Sequence, residues 1–190
     1  MRITTSFITL ALAALVTAGC QCKSCNTKVA EIADDGSTIA AYDESNGKAT
    51  NNEMTITEMH IKDIDGNDHS LREEIAKNKI TIVDFWASWC GPCRQEMPNL
   101  VNLYGSYKDK GLGIVGVSLD TEKEAWKEAI SNLGITWCQL SDLGGWDSEA
   151  AMVFNVRGIP YTIVTDSKGT ILATGLRGSE LVQFIEEKLK

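Results

Sequence analysis

The spacing of apolar residues changes period along this chain, and the changes mark out its elements. The run Ile80-Thr81-Ile82-Val83-Asp84-Phe85-Trp86-Ala87 is apolar on both faces, as a central strand covered by helices must be. Gly113-Ile114-Val115-Gly116-Val117-Ser118-Leu119 is a second run of that kind. Thr55 to Ile61 alternates like a half-buried strand and leads into turn chemistry at Asp63-Ile64-Asp65-Gly66-Asn67-Asp68. Ser70 and Glu73 form a capping box for a short helix. A helix from Arg94 to about Lys108 places Met97, Leu100, Val101, Tyr104 and Tyr107 on one face, with a kink expected at Pro98. Thr121 and Glu124 cap a further helix that ends at Gly134. Ile135 to Leu140 reads as a strand and Ser148 to about Asn155 as a short helix. Tyr161–Thr165 and Thr170–Thr174 form a hairpin, and a closing helix from Ser179 turns Leu181, Ile185 and Leu189 inward. A βαβ half followed by a ββα half gives an α/β fold with a central mixed sheet flanked by helices and an N-terminal β-hairpin.

At 190 residues and 43% hydrophobic content the chain can fill one ordinary core. A net charge of −8 argues against nucleic acid as a partner, because phosphate binding needs clustered Lys and Arg. Residues 1–19 read as a signal peptide: Met1-Arg2 is a positive start, and Phe7 to Val16 is an apolar stretch too short to span a bilayer. Thr17-Ala18-Gly19-Cys20 resembles a bacterial lipoprotein cleavage site, with Cys20 as the lipid attachment point and Thr17 standing where that pattern has Leu. The alternative is ordinary secretory cleavage, releasing a soluble protein. Either route exports the chain to an oxidising compartment, the periplasm of a bacterial envelope. Residues 20–53 are polar and aperiodic and read as a flexible tether, with an r.m.s. reach of roughly 30 Å. Within it, Cys22 and Cys25 make a C-x-x-C with no strand before it; it could be a metal knuckle with Cys20, a second redox pair, or incidental. A folded domain over 54–190 follows.

The candidate chemistry lies at Trp89-Cys90-Gly91-Pro92-Cys93, where the first buried strand gives way to a helix. A helix N-terminus offers unpaired N–H groups and a positive dipole end, which favour a thiolate over a thiol. Pro92 fits because the first helical turn needs no amide hydrogen from it. Two thiols so placed can interchange dithiol and disulfide. Cys90, ahead of the helix, is the candidate nucleophile and Cys93 the resolving thiol. Half of a zinc site is the competing reading, but Cys22 and Cys25 are the remaining candidate ligands and lie more than sixty residues upstream in the tether. The acidic turn at Asp63 is not a calcium loop, since Gly66 falls at its fourth position and no Glu closes it.

Val83-Asp84-Phe85-Trp86-Ala87-Ser88-Trp89-Cys90-Gly91-Pro92-Cys93-Arg94 resembles the active-site segment of thioredoxin, and Val156-Arg157-Gly158-Ile159-Pro160-Tyr161-Thr162 resembles its cis-proline segment. The resemblance runs from about Met54 to Lys190. It is most similar to the membrane-anchored, extracytoplasmic thioredoxin-like proteins of the TlpA/ResA type. It implies the thioredoxin fold with a strand-helix insert within Gly113 to Trp146, a thiol–disulfide oxidoreductase with a redox-active Cys90–Cys93 disulfide and no other cofactor or metal, and a cis bond before Pro160. Ile159 would present its backbone to substrate, with Trp89, Gly91 and Pro92 beside it. Asp84, a lone carboxylate in a buried strand, would accept the Cys93 proton; desolvation raises the pKa of such a group. The Gly91-Pro92 dipeptide implies a reducing poise. Electrons would come from a transmembrane thiol donor and pass to disulfide-containing exported proteins, apocytochrome c, or a peroxidase partner; a monomer is expected. Many cytochrome-maturation members carry an acidic residue between the cysteines, where this chain has Gly91. Redoxin-type peroxidases place Thr before their cysteine, where this chain has Ser88-Trp89. A non-catalytic thiol module is the remaining class. Trp86 reads as core. Cys138 reads as a buried inert thiol, or else a resolving or sensor thiol, and His60 and His69 as isolated surface residues.

Overall fold

The computed structural model describes residues 54–190, so the signal peptide, Cys20, Cys22, Cys25 and the tether lie outside the described residues. Its sheet has five strands: β3 (Ile80–Trp86), β4 (Leu112–Ser118), β5 (Cys138–Leu140), β6 (Tyr161–Asp166) and β7 (Ile171–Thr174), in the order β5-β4-β3-β6-β7. β4 runs parallel to β3 and β5 parallel to β4, while β6 pairs antiparallel with β3 and β7 antiparallel with β6. This is the mixed sheet expected from the βαβ and ββα halves. β3 is its middle strand, and all seven of its residues are buried. That accounts for a sequence run with no polar face. Strands β1 (His60–Lys62) and β2 (Asp68–Ser70) form a separate antiparallel pair across the Asp63 turn.

Five helices cover the sheet: α1 (Leu71–Ala76), α2 (Gly91–Tyr107), α3 (Lys123–Asn132), α4 (Glu149–Val153) and α5 (Gly178–Lys188). Among the described residues none is long and apolar enough to cross a membrane. α2 buries Cys93, Met97, Leu100 and Leu103 and continues through Pro98. It begins three residues earlier than its apolar periodicity suggests, because Gly91 and Pro92 need no amide partner in the first turn.

Several local expectations are revised. The alternating stretch from Thr55 yields only β1 and one isolated bridge, Thr55 to Thr170. Half of the Ser70 capping box forms: the Ser70 hydroxyl accepts from the Glu73 N–H at 3.1 Å, and the Ser70 hydroxyl donates to Glu58 at 2.9 Å. Glu122, and not Thr121, is the N-cap of α3, with no side-chain cap bond. The strand expected from Ile135 is confined to Cys138–Leu140.

Candidate redox site at the end of the central strand

β3 ends at Trp86, and a tight turn through Ser88 and Trp89 delivers Cys90 to the first turn of α2. The turn is held by a buried carboxylate. Asp120, just beyond β4, accepts from the Ser88 N–H at 3.0 Å, the Ser88 hydroxyl at 2.6 Å and the Ser118 hydroxyl at 2.6 Å. Charge-assisted bonds of this kind are worth about 1.5–3 kcal/mol each, and more is lost when a buried donor is left unpaired. Asp120→Ala should therefore lower unfolding free energy by about 3 kcal/mol or more, read by urea denaturation of the oxidised protein. An unchanged urea midpoint would show that the turn is held by something else.

Cys90 caps α2 in an extended conformation, and its Sγ accepts the Cys93 N–H at 3.2 Å. That backbone donor and the dipole of a seventeen-residue helix both point at the sulfur. Cys90 and Cys93 are joined as a disulfide. Both are buried, Cys90 at 5% exposure and Cys93 at 1%, so the order of access runs from Cys90 to Cys93. Cys90 Sγ also lies 3.8 Å from the Ile159 carbonyl oxygen, and the Ile159–Pro160 bond is cis. Gly91 and Pro92 are exposed beside the pair. Trp89 is 55% exposed, and its ring lies 6.2 Å from that of Trp146, which is 50% exposed. A groove of about 440 Å³ runs past the site between Pro92, Gln95, Glu96, Pro160, Arg177 and Glu180.

Asp84 lies two residues before Trp86 on the same strand, so period-2 alternation puts both on one face of the sheet. Trp86 is fully buried, and its indole N–H donates to the Gln139 carbonyl oxygen at 2.9 Å. A Cβ at Gly116 would collide with that Gln139 amide, which explains a glycine in the interior of β4. Asp84 is buried and pushed up to about 7, by desolvation first and by the charge of Glu96 second. Glu96 lies one turn beyond Cys93 on α2 and accepts the Gly178 N–H at 2.8 Å, tying the helix to the start of α5. Cys138 is half-buried, with its thiol pushed up to about 12, chiefly by desolvation. A thiol so held is a poor nucleophile near neutral pH.

Sequence reasoning missed Asp120, Glu96 and Trp146. Asp120 could have been suspected from its place just past the carboxyl end of a parallel strand, where sites collect. Glu96 follows Cys93 by one helical turn, a spacing that puts both on one side of α2. Trp146 lies in a Gly-Gly loop with no periodic signal. His69 is not the isolated surface residue expected: it is half-buried and bonded to both Glu74 and Asp63.

Residues 52–174 match the AhpC/TSA family. The chain is 28% identical over 130 residues to a thiol-disulfide oxidoreductase ResA from Bacillus thuringiensis, covering 68% of this chain and 72% of that one. It is 33% identical to the thiol:disulfide interchange protein HelX of Rhodobacter capsulatus, covering 61% and 62% of the two chains. The thioredoxin domain of a thiol-disulfide oxidoreductase from Bacteroides vulgatus superposes with a TM-score of 0.66 at 33% identity, covering 73% of this chain and 97% of that one.

Proposed function

Since the chain belongs to the AhpC/TSA family and is a thioredoxin-like thiol–disulfide oxidoreductase, we propose that it reduces disulfides of exported proteins through the Cys90–Cys93 pair. The observation that carries this reading is the Cys90 sulfur on the α2 N-terminus, accepting the Cys93 N–H beside the Ile159 backbone. In the reduced protein the Cys90 thiolate attacks one sulfur of a substrate disulfide. A Cys90–substrate bond forms, and the other substrate sulfur leaves as a thiolate. Cys93, giving its proton to Asp84, then attacks Cys90; the Cys90–Cys93 disulfide forms and the second substrate thiolate departs. Two electrons have passed to the substrate, and no dissociable cofactor or metal takes part. Substrate backbone lies against Ile159 and Pro160, and Trp89, Gly91 and Pro92 form the exposed rim that meets it.

Export and anchoring rest on Met1 to Cys20. The lipid on Cys20 holds the domain at the membrane, where a transmembrane thiol donor returns two electrons to the Cys90–Cys93 disulfide. General repair of oxidised exported proteins suits Gly91 better than dedicated cytochrome c maturation does. Reduction of insulin disulfides by the reduced protein, lost in Cys90→Ser, tests the activity; turnover of hydrogen peroxide without a protein disulfide would favour a peroxidase. Cys20→Ala should move the full chain from the detergent phase to the aqueous phase in a phase-partition assay while insulin reduction is retained. A wild-type protein already in the aqueous phase after export would overturn the anchor.

A further inference from the structure

Three side chains whose donor atoms could ligate a metal ion meet where β2, α1 and β5 come together. His69 on β2, Glu74 on α1 and Cys138 on β5 each offer one donor atom, and these atoms all lie within 4.8 Å of one another. His69 Nδ1 is 2.8 Å from a Glu74 carboxylate oxygen, while His69 Nε2 is 3.0 Å from Asp63. Asp63 is itself fixed, accepting the N–H groups of Asp65 and Asn67 and the Asn67 side-chain amide at 2.8–2.9 Å. The acidic turn is thus folded onto its own backbone and onto His69. The cluster opens into a cavity of about 370 Å³ with an apolar wall of Ile64, Ile130 and Trp137.

We propose that His69, Glu74 and Cys138 are the three protein ligands of a zinc site, with water from the cavity in the fourth position. Imidazole nitrogen, carboxylate oxygen and thiolate sulfur are the zinc ligand set, and three protein ligands with one open position is a tetrahedral arrangement zinc accepts. The thiolate and imidazole disfavour calcium and magnesium, which take oxygen ligands. Asp63 supplies the outer support: a carboxylate accepting Nε2–H fixes the tautomer in which the Nδ1 lone pair faces Glu74 and Cys138. Binding forms N–Zn, O–Zn and S–Zn bonds, and the Cys138 thiol proton leaves to solvent together with any proton on Nδ1. Lys77 is the competitor, its ammonium 2.6 Å from the same Glu74 oxygen, but its side chain is 62% exposed and free to swing out.

The test is a cobalt(II) titration of the full chain with Cys90–Cys93 kept oxidised, using cobalt as zinc's spectroscopic stand-in. The expected result is one equivalent bound with a near-ultraviolet thiolate-to-cobalt band, bleached by one equivalent of zinc. Cys138→Ala should abolish the band, and Asp63→Asn should weaken binding by about tenfold or more. Lys77→Ala should tighten binding several-fold by freeing Glu74, and it carries the test alone if Cys138→Ala fails to fold. A wild-type chain with no such band would overturn the site. So would a band that survives Cys138→Ala at full strength, which would place the metal on Cys22 and Cys25, or an affinity that Lys77→Ala leaves unchanged or weakens.

Discussion

Cys93→Ser should accumulate stable mixed disulfides with partner proteins, at least about tenfold more than Cys90→Ser, when the reduced variants meet oxidised substrates. The asymmetry follows from the helix start. Cys90 Sγ takes a backbone N–H at the positive end of α2, so a thiolate there is stabilised before any substrate arrives. Cys93 is one turn inside the helix at 1% exposure, where an incoming disulfide cannot reach it. With Cys93 replaced, the Cys90–substrate bond forms and nothing is left to resolve it. With Cys90 replaced, the first bond does not form. Alkylation of the reduced wild type should show the same order, with Cys90 modified faster and at lower pH than Cys93 or Cys138. Non-reducing gels with mass spectrometry read the adducts; equal trapping by both variants, or adducts on Cys138, would reverse the assignment.

Asp84→Asn should make the protein more stable above neutral pH and less able to resolve its mixed disulfides. In the folded chain Asp84 is pushed up to about 7 from an ordinary 3.8, by desolvation first and Glu96 second. Between these values the folded protein keeps a proton that the unfolded chain has already released. Stability from this group is therefore complete below about pH 4 and declines as pH rises toward 7. At about 1.4 kcal/mol per pH unit over a window from 3.8 to about 7, the total is on the order of 4 kcal/mol. Asn carries no charge at any pH, so the variant lacks this decline. Urea denaturation should give similar stabilities at pH 4 and an advantage to the variant of roughly 3–4 kcal/mol at pH 8. If Asp84 is the acceptor of the Cys93 proton, as proposed, the variant should also release substrate from Cys90 more slowly over pH 6–8. Parallel stability curves for the two proteins would mean Asp84 is solvated, and unchanged release kinetics would remove it from the proton transfer.

The fold was legible because its informative elements are extreme. β3 and β4 are apolar on both faces, which only a covered central sheet permits, and the hairpin of β6 and β7 is punctuated by Asp166 to Gly169. Elements that owe their form to tertiary contact were harder to read. α2 begins at Gly91 because Cys90 caps it, and β5 shrinks to Cys138–Leu140 because pairing with Val115–Val117 sets its length. In the site, the cysteines and Asp84 announce themselves as residue types out of place in their segments, while Pro160 is legible only through the resemblance of Val156–Thr162 to the thioredoxin cis-proline segment. Asp120 and Glu96 do not, since a carboxylate after a strand or on a helix is ordinary until its partners are known. Their roles come from residues 32 and 82 positions away, Ser88 and Gly178, a separation that no local pattern reports.

As a working pair, Cys90 and Cys93 should interchange dithiol and disulfide reversibly. Equilibrating the purified protein across a series of dithiothreitol redox buffers, with Trp89 fluorescence or thiol alkylation as the readout, tests it directly. A single two-electron transition is expected, with a midpoint nearer the thioredoxin value of about −270 mV than the −120 mV or so of a strong oxidant. The transition should be absent in Cys90→Ser. A wild-type protein whose cysteines stay oxidised or stay reduced across the whole series would contradict a role in thiol–disulfide exchange.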